Sequence, residues 1–195
     1  MPSQAHARLT VEEYLAYERH APYKSEYFNG EIFAMSGASR RHNLIALNIG
    51  AELRAQLKQR PCEVYTSDMR VKISPTGLYT YPDVVVVCEE PVFEDAEVDT
   101  LLNPTVLVEV LSKSTADYDR GEKFEHYRAL LSVQEYLLVA QERCHVVHYT
   151  RQPGNTWLLT ETYDRHASIH LPSMHCDLLL SEVYAKVSLD QLIPE

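Results

Sequence analysis

The 195-residue sequence lacks any apolar run approaching the roughly 20 residues that span a bilayer, which argues against a membrane-spanning helix. No apolar leader core stands near the first residue, so a cytoplasmic location is expected. Cysteine is sparse: Cys62, Cys88, Cys144 and Cys176 lie far apart and form no Cys-x-x-Cys. Neither a zinc site nor a disulfide framework is expected from that spacing. Cys88, at the end of an apolar run, reads as a buried thiol. Internal repeats and low-complexity segments are absent. Basic charge is also scarce, with 18 Lys and Arg against 28 Asp and Glu and a net charge of −10. A large basic face for general nucleic-acid binding is therefore excluded, although a local basic surface is not. Residues 1–60 hold eight basic against six acidic residues, whereas residues 61–112 hold two against ten. Most of that acid falls in Glu89 to Asp99, which reads as a solvated loop.

Apolar and charged fractions of 45% and 24% are those of an ordinary globular protein, and the length suits one domain over residues 1–195. Thr10 followed by Glu13 predicts a capping box at the start of a short helix. Lys24–Phe28 and Glu31–Met35 flank Asn29-Gly30, a strong hairpin signal. Glu26 alternates with Phe28, so it faces either inward or out from an edge strand. Leu44, Leu47, Ile49, Leu53 and Leu57 predict a long helix over Asn43 to Gln59. Arg40, Arg41 and His42 at its start oppose the helix dipole unless an anion or carboxylate lies nearby; a phosphate would suit them, and a surface histidine is the alternative. Cys62 to Ile73 reads as one strand, Tyr118 to Leu131 as a second helix, and Leu178 to Val187 as a short closing helix. Three strands are predicted around Glu135–Val139, His145–Tyr149 and Trp157–Tyr163. His145 and His148, three apart in a strand, point to opposite faces and cannot share a metal. His166, His170 and His175 read as loop residues. Helices interleave with strands, so an α/β sheet covered by helices is expected.

Two apolar runs each carry one acid. Tyr81-Pro82-Asp83-Val84-Val85-Val86-Val87 and Val106-Leu107-Val108-Glu109-Val110-Leu111-Ser112 both read as buried strands. A carboxylate there is costly to bury unless it is hydrogen-bonded, paired or bound to a cation. Asp83 and Glu109 could stand side by side at a sheet edge and hold a divalent metal. Alternatively, Asp83 is a turn residue after Pro82 and Glu109 pairs with a nearby base.

Pro82-Asp83, then Glu109-Val110-Leu111-Ser112-Lys113-Ser114-Thr115, resembles the PD-(D/E)XK nuclease superfamily. More narrowly it resembles the bacterial Uma2 family, a former domain of unknown function described as a putative restriction endonuclease. The Leu9–Tyr14 opening, Glu26 to Gly30, His42 before the long helix, Asp119 through Lys123 to Tyr127, and Glu135-Tyr136-Leu137 complete an ordered set across nearly the whole chain. The resemblance implies a mixed α/β endonuclease-like core, with an N-terminal hairpin and a β-rich C-terminal extension. It also implies metal-dependent hydrolysis of DNA phosphodiesters. Mg²⁺, or Mn²⁺ in its place, would be held by Asp83, Glu109 and the Val110 carbonyl. Glu26 would extend that shell, while His42, Arg41 and Lys113 would contact phosphate. The superfamily's lysine two residues after the acid is Leu111 here. Lys123 on the following helix is preferred in its place, with Lys113 as the alternative. A catalytically silent relative that binds partners through the same fold is the competing reading, and a homodimer is expected in either case. A phosphohydrolase of small nucleotides is a third.

Overall fold

The computed structural model describes residues 8–112 and 115–189, so Lys113, one of the two candidate lysines, lies outside them. Helix α1 (Val11–Glu18) starts with the expected capping box, Thr10 accepting from the Glu13 N–H and Glu13 from the Thr10 N–H. Strands β1 (Ser25–Phe28) and β2 (Glu31–Ala34) form the expected hairpin. Asn29 and Gly30 sit at φ 51° and 87°, the left-handed pair that a tight primed turn demands. Helix α2 (Arg40–Leu57) begins three residues earlier than predicted, because the Ser39 hydroxyl accepts from the His42 N–H. Its buried face is Ile45, Ile49, Leu53 and Leu57. Leu47, two residues and therefore about 200° from Ile45, is 62% exposed, contrary to expectation.

The expected strand from Cys62 to Ile73 is two strands, β3 (Glu63–Thr66) and β4 (Arg70–Ile73), parted by a turn at Ser67-Asp68. They join different sheets. After β5 (Leu78–Thr80), β6 (Val84–Val87), β7 (Thr100–Leu101) and β8 (Val106–Leu111), the second helix is also divided. Gly121, at φ −102° and ψ −92°, breaks it into α3 (Ala116–Arg120) and α4 (Glu122–Ala129). Strands β9 (Glu135–Ala140), β10 (Val146–Gln152) and β11 (Thr156–Thr162) follow as predicted. The tail holds a hairpin that the sequence did not announce, β12 (Ser168–Leu171) and β13 (Cys176–Leu179), before α5 (Leu180–Val183). His170 is thus a strand residue, exposed and paired with Asp177.

One sheet runs β2-β1-β5-β4-β7 and the other β11-β10-β9-β8-β6-β3. The larger is mixed, with β8 antiparallel to β6 and parallel to β9. Both its faces are covered, which is why its central strands are apolar without alternation. Val84, Val86, Val106, Val108 and Val110 pack with α2 and the tail; Val85, Val87, Leu107 and Leu111 pack with Tyr127 of α4 and with the smaller sheet. By that period of two, Glu109 and Asp83 leave the sheet on the α4 side.

Two further expectations are overturned. Cys62 and Cys88 form a disulfide, with Cα atoms 4.0 Å apart. The β3–β6 register sets Glu63 opposite Val87, and so brings the flanking cysteines face to face. The acidic run is also less solvated than expected. Glu94 accepts from Lys72 and Tyr79, while Asp95 and Asp99 pair with Arg19.

Candidate active site

The antiparallel register of β6 and β8 pairs Val84 with Val108, so Asp83 and Glu109 come next to each other at one end of the ladder. Asp83 is held there by its neighbour strand: the Val110 N–H donates to Asp83 Oδ2 at 2.7 Å. His42 Nε2 approaches the same oxygen to 3.1 Å. Asp83 is thus the carboxylate that the cationic start of α2 required. Arg41 shares that first turn, half-buried.

Lys123 enters from α4. Its ammonium lies 2.9 Å from Glu109 Oε1, 3.1 Å from Glu26 Oε1 and 3.5 Å from Asp119 Oδ1. Asp119 lies one helical turn before Lys123, and both side chains are buried. Glu26 faces inward from β1, where the Thr80 hydroxyl donates to it. The Tyr127 hydroxyl, one helical turn beyond Lys123, donates to Glu109 Oε1 at 2.7 Å. Tyr136 donates to the Asp119 carbonyl at 3.0 Å. Asp119, Tyr127 and Thr80 were not singled out as site residues. The Asp119, Lys123, Tyr127 spacing of four was the one available signal for Asp119 and Tyr127; Thr80 had none.

Acids outnumber bases at this place. Among the described residues, Glu26, Glu109 and Asp119 surround the Lys123 ammonium, and Asp83, paired with His42, adds its charge beside Glu109. Burial pushes Glu109 up to about 8, helped by Asp119 and Asp83 and opposed by Lys123 and the Tyr127 hydroxyl. Burial works against the Lys123 ammonium, but Glu109, Glu26 and Asp119 outweigh it and hold its pKa well above the ordinary value. Asp119 is also raised, chiefly by burial. Of the predicted residues, the fold brings together Asp83, Glu109, Val110, Lys123, Glu26 and His42. His145 and His148 lie elsewhere and apart, paired with Glu161 and Glu135. Among the described residues no three His, Cys, Asp or Glu side chains form a metal cage by themselves.

The chain is similar to several known proteins. An uncharacterised Synechocystis protein, sll1609, is 41% identical over 166 residues, 85% of this chain and 94% of its own. A second, slr1290, is 34% identical over 183 residues, 94% and 95% of the two chains. The crystal structure of a putative nuclease belonging to DUF820 from Anabaena variabilis superposes with a TM-score of 0.74 at 17% identity, covering 92% of this chain and 99% of that one. That similarity shows a shared fold. The Uma2 family profile, described as "Putative restriction endonuclease", matches residues 11–181. The chain belongs to the Uma2 family of putative restriction endonucleases.

Proposed function

We propose that the chain is a divalent-metal-dependent endonuclease that hydrolyses DNA phosphodiester bonds at the Asp83–Glu109–Lys123 cluster. The observation that carries this reading is the Lys123 ammonium seated between Glu109 and Glu26, beside an Asp83 pinned to the Val110 N–H. The donors fit Mg²⁺ or Mn²⁺. Two carboxylates are hard oxygen ligands, and the remaining octahedral positions suit water, which Mg²⁺ gives up reluctantly. A strand residue's N–H and C=O point to the same side, so the Val110 carbonyl faces Asp83 as well. The excess of buried acid over base fits a cation too, and a divalent ion beside Glu109 would bring its raised pKa down. When bound, such an ion supplies Lewis acidity at the scissile phosphate and lowers the pKa of a water.

The chain's own residues have separable tasks. Lys123 stays protonated, so it acts as an electrostatic group that orients the nucleophile or offsets charge on the phosphorane, not as a base. Glu26 and Asp119 hold that ammonium in place. His42 and Arg41, on the positive end of α2, would receive a neighbouring phosphate.

The test is cleavage of single- and double-stranded DNA with Mg²⁺ or Mn²⁺ by wild type, Glu109→Ala and Lys123→Ala. Wild-type cutting with both variants dead supports the assignment. Equal activity in wild type and Glu109→Ala would mark a contaminant. Wild-type inactivity, together with no Mn²⁺-induced rise in Tm that Asp83→Ala removes, would leave the catalytically silent binding protein.

A further inference from the structure

We infer that Phe33 is a stacking platform for an unpaired nucleobase next to the scissile phosphate, which makes the substrate a single strand or a locally unstacked duplex. This rests on the nuclease reading above. Strand β2 is the outer strand of the five-stranded sheet, and all four of its residues are exposed. Phe33 lies directly opposite Glu26 in the β1–β2 ladder. Directly opposed residues leave a sheet on the same face with Cβ atoms about 5 Å apart. Glu26 is buried against the Lys123 ammonium, whereas Phe33, one strand further out, is 50% exposed. An aromatic ring therefore stands on the rim of the site, on the face that carries its chemistry.

Phe33 makes no ring contact among the described residues, unlike Phe28, whose ring meets His126. Its backbone neighbour Ile32 points to the other face, opposite the buried Tyr27. From Phe33 the chain needs only a short loop to reach Arg40, exposed, and His42 at Asp83. The ring thus stands beside Glu26 and His42 beside Asp83, two acids of the candidate site approached from consecutive segments. Phosphate contacts position a nucleic acid without reading its bases, while a free π-face next to them holds a base of any identity. Bases stacked inside a duplex cannot offer that face unless they are unstacked.

The test is binding, by fluorescence anisotropy in EDTA, of single-stranded and duplex oligonucleotides to wild type, Phe33→Ala, Phe33→Leu and Phe33→Trp. Circular dichroism checks folding, and an exposed position makes its loss unexpected. Phe33→Ala and Phe33→Leu should weaken single-strand binding by about 5- to 150-fold, the span of base–aromatic stacking, with Phe33→Trp retained and duplex binding little changed. An abasic residue at the contacted position should erase the difference between wild type and Phe33→Ala. Unchanged single-strand affinity in Phe33→Ala overturns the inference, even if the enzyme cuts DNA. Phe33-dependent binding without any cleavage by wild type keeps the inference and removes the nuclease reading. A dimer that Phe33→Ala converts to monomer, at unaltered affinity, overturns the inference in favour of a contact between two copies of this chain.

Discussion

Two ionic clusters flank the five-stranded sheet, and they are built to opposite ends. In the cluster beneath α1, Arg70 bonds Thr100, Tyr81 and Asp99, and Tyr81 in turn donates to Glu18. Arg19 adds a second cation on Asp99 and Asp95. Two guanidiniums thus face three acids, and Asp99 is held well below the ordinary carboxylate range by Arg19 and Arg70 against its burial. In the α4 cluster, among the described residues, one ammonium faces three acids with Asp83 close behind, and Glu109 is driven upward. The ingredients are alike, and the charge balance differs. A balanced network locks structure, whereas an acid-rich one leaves a demand for positive charge that a ligand can meet. Perturbed carboxyls of the second kind are the better pointer to chemistry.

The largest expected effect separates the two clusters by activity. Glu109→Gln should lower metal-dependent cleavage on the order of 10³-fold or more, the scale of losing several kcal/mol of Lewis-acid assistance. Arg70→Met should leave the cleavage rate of folded protein unchanged. Stability should respond the other way. Arg70→Met removes the donor to the buried Tyr81 and Thr100 hydroxyls and one of the two cations on Asp99, so denaturant titration should show a loss of about 1–3 kcal/mol. Glu109→Gln should cost little or raise Tm, because it removes one acid from an overcharged site; a loss as large as that of Arg70→Met would sink the comparison.

Acidity should divide the clusters more gently. Glu109 has a folded pKa raised above its unfolded value of about 4.3, so its stabilising contribution is complete below that pH and lost as pH rises through about 8. Asp99 has a depressed folded pKa, so its contribution is present above its unfolded value of about 3.9 and lost on acidification. In metal-free protein, unfolding free energy should therefore decline between about pH 5 and 8, and Glu109→Gln should flatten that decline. Asp99→Asn should preserve the decline and blunt only the acid limb. Chemical denaturation across pH reads both.

Asp83 and Glu109 were legible because an acid inside an apolar strand demands a partner. The Asn29-Gly30 hairpin and the Thr10 cap were legible because local chemistry decides them. Lys123 emerged from a family likeness, since nothing local distinguishes it from a lysine paired with Asp119 on the surface. The break at Gly121 and the division at Ser67-Asp68 went unread, because each depends on which sheet or helix the next segment joins. Arg70 likewise gave no sign that it would be buried against Tyr81 and Asp99, partners 11 and 29 positions away in the chain. Leu47 was misread because four-residue steps from Ile45 set the buried stripe, and periodicity alone allowed a second phase.

The Cys62–Cys88 bridge turns the chain between those cysteines into a covalent ring. Strands β3 and β6 of that ring lie in the larger sheet, and β4 and β5 in the smaller one, so a single closed loop threads both. Asp83 is a member of it. A protease cut in the turn at Ser67-Asp68 would open the ring without freeing either piece, and the halves would separate on a gel only after reduction. Until then the two sheets remain chemically one object, and the Asp83 end of the site stays tethered to both.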